Sequence, residues 1–180
     1  MKHLIAALAL ALLATSSVRA EAATPPTLVG WSSIASGCSI DNPSLASVDS
    51  AHGTVTFAPG KSGRIKMTCP VRSAFFAWMS KLHMVFYNDR SFSGGATHCA
   101  ISADLLRTNL NEEVLGWDIV SISTETHATT GRSELQKSFA EALDFDSSYY
   151  WVDVELSRDS GTATCNPVIL GVYLANQGVN

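Results

Sequence analysis

Tyr150-Trp151-Val152-Asp153-Val154-Glu155-Leu156-Ser157 is the stretch on which the fold turns. Its apolar members Tyr150, Val152, Val154 and Leu156 alternate with Trp151, Asp153, Glu155 and Ser157. Successive side chains of a strand point to opposite faces, so this period of two describes a strand with one face buried and the other in water. The alternation recurs along the chain. Val55 and Phe57 stand against Thr54 and Thr56, and Ile65, Met67, Cys69 and Val71 against Arg64, Lys66 and Thr68. Leu82, Met84 and Phe86 continue it, then Cys99, Ile101, Ala103 and Leu105, and finally Val168, Leu170, Val172 and Leu174. Gly, Pro, Asn, Asp and Ser separate these runs, as at Pro59-Gly60. About seven or eight such strands predict an all-β domain, an antiparallel β-sandwich of two packed sheets. A jelly-roll is expected over the immunoglobulin arrangement, which needs a Trp packed on one inter-sheet disulfide; no Trp lies suitably between one Cys pair.

Two stretches are ambiguous. Residues 134–143 place Leu135, Phe139, Ala142 and Leu143 at helical spacing, with Ser133 and Gln136 as a capping box. Read instead as a strand, Phe139, Leu143 and Phe145 share a face, and the direct approach to the strand at 149–157 favours that reading. The apolar run 73–79 fits a strand or a covering loop.

The first twenty residues carry a different signal. Lys2 precedes eleven uncharged residues, Leu4 to Ala14, and Val18-Arg19-Ala20 follows. A positive start, a short apolar run and small residues at the exit describe a secretory signal peptide cleaved after Ala20. Crossing a bilayer takes about 20 apolar residues, so the run is too short to anchor the chain. The expected organisation is a signal peptide at 1–20, a Pro-bearing linker at 21–30 and one β-sandwich domain at 31–180. Its place would be the periplasm or the medium, with no stable membrane insertion.

Lys2 and Arg19 leave with the leader, so the remainder carries 10 basic and 16 acidic residues, a formal net charge of −6. Nucleic-acid binding needs a clustered basic surface, and this acidic balance argues against it. All four cysteines, Cys38, Cys69, Cys99 and Cys165, lie beyond the leader and are 31, 30 and 66 residues apart. Zinc ligands come in much closer pairs, so an even count in an exported chain reads as two disulfides. Of three connectivities, Cys38–Cys69 and Cys99–Cys165 is preferred, because the first pair brackets the early strands and the second joins later ones. In the chain-entropy model those loops would contribute up to about 3.7 and 4.4 kcal/mol.

Familiar catalytic motifs fail at identifiable positions. Gly60-Lys61-Ser62 ends like a phosphate-binding loop, but Val55 stands where its first glycine belongs and no helix follows. Asp159-Ser160-Gly161 suggests a hydrolase signature, yet His52, His83, His98 and His127 occur in no recognisable triad context. The run Asp89-Arg90-Ser91-Phe92-Ser93-Gly94 imitates a calcium loop, whose closing acid would fall on Ala100. Asp144-Phe145-Asp146 fails because Tyr149 takes the glycine position. Asn42-Pro43-Ser44 is barred from N-glycosylation by its proline. No metal or cofactor is implied.

One constellation remains. Trp151, Asp153 and Glu155 share a strand face, with Tyr149 in line with them. Carboxylates accept hydrogen bonds from sugar hydroxyls, an aromatic ring stacks on a pyranose, and paired acids can also hydrolyse glycosides. The bland alternative is the polar solvent face of an antiparallel sheet.

The pattern Gly53-x-Val55-x-Phe57, Gly60-x₂-Gly63-x-Ile65, Cys69-Pro70-Val71 and Tyr149-Tyr150-x-Val152-x-Val154-x-Leu156-x-Arg158 resembles a type of small exported bacterial β-sandwich protein of uncharacterised activity. The resemblance spans most of residues 31–175. It implies a fold and a compartment and supplies no site residues. The leading expectation is therefore a non-catalytic exported binding module for carbohydrate or another envelope ligand. A structural or assembly protein of the envelope, with a protein partner, is the second expectation, and a secreted hydrolase the third.

Overall fold

The computed structural model describes residues 29–72, 79–88, 99–110, 116–125, 131–160 and 165–176. The expected signal peptide, most of the expected linker, the run 73–78, the calcium-loop imitation at 89–94, His98, His127 and Gly161 lie outside them. Among the described residues, eleven strands form two sheets. They are β1 (Val29–Ile34), β2 (Ser39–Ile40), β3 (Ala46–Asp49), β4 (Thr54–Phe57), β5 (Gly63–Val71) and β6 (Lys81–Asn88). The series continues with β7 (Cys99–Asn109), β8 (Trp117–Ser123), β9 (Gly131–Ser138), β10 (Ser148–Arg158) and β11 (Val168–Ala175). One sheet runs β3-β4-β11-β6-β9, with β1 also on β11; the other runs β2-β5-β10-β7-β8. Every pairing is antiparallel. The fold is an antiparallel β-sandwich of jelly-roll build.

The alternation read in the sequence builds its core. From the five-stranded sheet, Ile65, Met67, Ile101, Leu105, Val152, Val154 and Leu156 point inward. They meet Val55, Phe57, Leu82, Met84, Phe86, Ile169 and Leu174 of the other sheet. Cys38 is joined to Cys69 with Cα atoms 4.5 Å apart, stapling the approach of β2 to its neighbour β5. Cys99 is joined to Cys165 at 6.4 Å, which ties β7 to the segment entering β11 and so links the two sheets.

Four details depart from the sequence reading. Eleven strands replace seven or eight, because short edge strands such as β2 and β3 bury little and leave a weak alternation. β1 begins at Val29, inside the expected 21–30 linker, since its backbone pairs with β11 from Val29 onward. In β11 the register shifts between Ile169 and Gly171. Ile169, Val172 and Leu174 are buried there, while Leu170 is only half-buried. At that bulge a Cβ on Gly171 would lie 2.6 Å from the Ser33 carbonyl oxygen, so only glycine admits β1 so closely. Finally, β9 ends at Ser138, and 139–147 crosses from one sheet to the other rather than forming a hairpin with β10. Phe139 and Leu143 are buried in that crossing, and Phe145 packs against Tyr150 with ring centroids 4.9 Å apart.

Two polar side chains brace these crossings. Arg158, 7% exposed at the inward end of β10, donates to the carbonyls of Cys165, Ala58 and Lys61. Its guanidinium lies 4.5 Å from the centre of the Phe57 ring. Buried Tyr150 accepts the backbone N–H of Asp144 on its hydroxyl at 2.8 Å.

Candidate functional site

Strand β10 is the middle strand of its sheet, between β5 and β7. Because Val152, Val154 and Leu156 point into the core, Tyr149, Trp151, Asp153, Glu155 and Ser157 point outward. The four candidate residues therefore lie in one line on one face. Tyr149 is 65% exposed, and Trp151, Asp153 and Glu155 are half-buried.

Register adds the flanks. Trp151 lies between Pro70 of β5 and Leu106 of β7, and Asp153 between Thr68 and Asp104. Thr68 donates its hydroxyl to Asp153 at 2.8 Å. Glu155 sits among Arg64 and Lys66, at 3.4 and 3.8 Å. On β8, Trp117 is 51% exposed and lies opposite Arg107. Just before it, Gly116 has φ +76°, and its Cβ position lies 3.4 Å from both Leu106 and Trp151. That left-handed turn carries the chain past the Trp151 ring into β8. Arg107 pairs in turn with inward Tyr150, so Trp117 belongs to the other side of the sheet, and Asp118 is the β8 residue in line with Leu106 and Trp151. The outer face is thus graded, from aromatic and apolar at Tyr149, Trp151 and Leu106, through Asp153 and Asp104, to the charged group around Glu155.

A depression of about 370 Å³ opens at the charged end, lined by Arg64, Glu125, Glu155 and Asp159 among others. Glu155 is already engaged there by two cations. Among the described residues no three His, Cys, Asp or Glu side chains are grouped to hold a metal ion. No described helix is long and apolar enough to cross a membrane.

Asp104 and Leu106 were not evident from the sequence as parts of this face. Asp104 and Leu106 alternate with Ala103 and Leu105, so their outward direction was readable. Their adjacency to β10 depends on the pairing of strands about 45 residues apart, which alternation does not encode.

Fold and face define a class, an antiparallel β-sandwich with an open aromatic and acidic sheet surface. No family model and no curated protein matches the chain. Among solved structures it is similar to the module TmCBM61 in complex with β-1,4-galactotriose, at 13% identity and a TM-score of 0.43, over 76% of this chain and 85% of that one. It is also similar to the mannan-recognising carbohydrate-binding module TmCBM27, at 10% identity and 0.41, over 85% and 99%. A family 11 carbohydrate-binding module from Clostridium thermocellum, in complex with a β-1,3-1,4-mixed-linked tetrasaccharide, gives 12% and 0.41 over 87% and 92%. Likeness at this level assigns neither a ligand nor a residue role.

Proposed function

We propose that this domain is a non-catalytic binding module of an exported protein, and that it binds polysaccharide along the outer face of β10. The observation that carries the reading is the line Tyr149, Trp151, Asp153, Glu155 on the outer face of the middle strand. Exposed aromatic rings are costly to leave in water and stack well on the apolar face of a pyranose. The carboxylates next in line accept hydrogen bonds from its hydroxyls. At about 3.3 Å per residue, Tyr149 to Glu155 covers roughly 20 Å, the length of several linked sugars rather than one. The leader-like residues 1–20 and the two disulfides support export, since disulfides persist in oxidising compartments.

The test is affinity electrophoresis and calorimetry against soluble plant and microbial polysaccharides. Retardation by at least one glycan, weakened about tenfold or more by Trp151→Ala and by Tyr149→Ala, is the expected result. Both variants should keep the parent's thermal midpoint to within a few degrees, because neither ring belongs to the core. No retardation across the panel, or retention unaffected by either change, overturns the reading.

A further inference from the structure

The opposite sheet carries a second concavity, distinct from the face of β10. It is a shallow depression of about 280 Å³ over the bulge of β11, lined by Ser32, Ile34, His52, Arg132, Leu170 and others. Its floor includes the apolar side chains of Val85 and Leu170, and its wall includes Ile34, which is 58% exposed. Such a floor with a few convergent polar groups is the usual form of a small-molecule site.

The state of those polar groups selects the ligand. Two carboxylates stand nearby, and both are occupied. Asp49 accepts the His52 ring at 2.6 Å and the backbone N–H groups of Ala51 and His52 at 3.0 and 3.2 Å. Glu134 accepts His83 at 2.6 Å and the Tyr173 hydroxyl at 2.7 Å. The donors at the rim are unmatched. Among the described residues, Arg132 makes no ion pair or hydrogen bond, and the Ser32 hydroxyl has no partner. Arg132 acts on Glu134 only through space, without contact. A guanidinium offers five N–H groups and accepts nothing, and its planar fork matches a carboxylate. We infer that this depression binds a small monocarboxylate with a compact apolar body, its anionic group on Arg132 and its body on Ile34 and Leu170. A cavity of about 150 Å³ accepts benzene, so the room suffices for a substituted six-membered ring.

Benzoate is the probe, with neutral benzamide as its isostere, followed by NMR titration of the whole exported domain. Saturable binding of benzoate is expected with Kd of about 1–10 mM, the range open to so few atoms. Shifts should cluster at Ile34, Arg132 and Leu170. Benzamide should bind at least about tenfold more weakly, and Arg132→Gln should weaken benzoate by a similar factor with an unchanged far-UV spectrum. Trp151→Ala should leave benzoate binding intact, which separates this site from the glycan face. Equal binding of benzamide, insensitivity to Arg132→Gln, or no saturation in the millimolar range overturns the inference.

Discussion

Arg158 and Tyr150 illustrate how single side chains secure a sandwich where its strands leave the sheets. Burial lowers the Arg158 pKa by desolvating its charge, and the three carbonyl partners offset that cost. Arg158→Met should destabilise by about 2–4 kcal/mol, because it strips the turn carbonyls of their donors while filling the same space. Tyr150→Phe, which removes only the hydroxyl that receives Asp144, should cost about 1 kcal/mol. Denaturant titration of both variants checks the order. The inward place of Tyr150 was legible in the alternation of β10. The purpose of Arg158 was not, since an arginine at an inward position reads as an exception until the carbonyls of residues 58–61 and 165 are seen around it.

At the scale of the element, β9 is an edge strand bearing Arg132, Glu134, Gln136 and Lys137, polar residues that discourage further strand addition. It is tied to β6 and β11 by one cluster. His83 is 3% exposed, stacks on Tyr173 with centroids 4.2 Å apart, and shares the Glu134 carboxylate with it. Burial pushes the Tyr173 hydroxyl up to about 12, and its bond to Glu134 adds to the rise. A raised folded-state value means the contribution is complete below the unfolded value of about 10 and is lost as pH climbs through about 12. Absorbance titration should therefore find a late-ionising tyrosine that Tyr173→Phe removes. Burial alone would raise the Glu134 carboxyl, but hydrogen bonds from Tyr173 and His83 outweigh it and hold its pKa below the ordinary value. That stabilisation is present above the unfolded pKa and is lost as pH falls through the folded one. Glu134→Gln should flatten this part of the acid-unfolding profile.

For the molecule as a whole, the two disulfides act on different connections. Cys38–Cys69 joins neighbours within one sheet, whereas Cys99–Cys165 joins the two sheets across a loop of 66 residues. The longer loop frees more of the unfolded chain when cut. The double variant Cys99→Ala, Cys165→Ala should lose about 2–4 kcal/mol, lowering Tm by roughly 5–15 °C in scanning calorimetry. Cys38→Ala, Cys69→Ala should cost less, because the pairing of β2 with β5 persists without the bond.

By itself the sequence determined the class of fold, because a buried face and a wet face must alternate with period two along every half-buried strand. It also determined which side of β10 carries Tyr149, Trp151, Asp153 and Glu155. The tertiary structure decided which strands are neighbours, where β11 shifts its register, and that residues 139–147 cross between sheets. Those are contacts between residues far apart in the chain, and alternation is blind to them. The same limit explains why Asp104 joined the line only once β7 was paired beside β10.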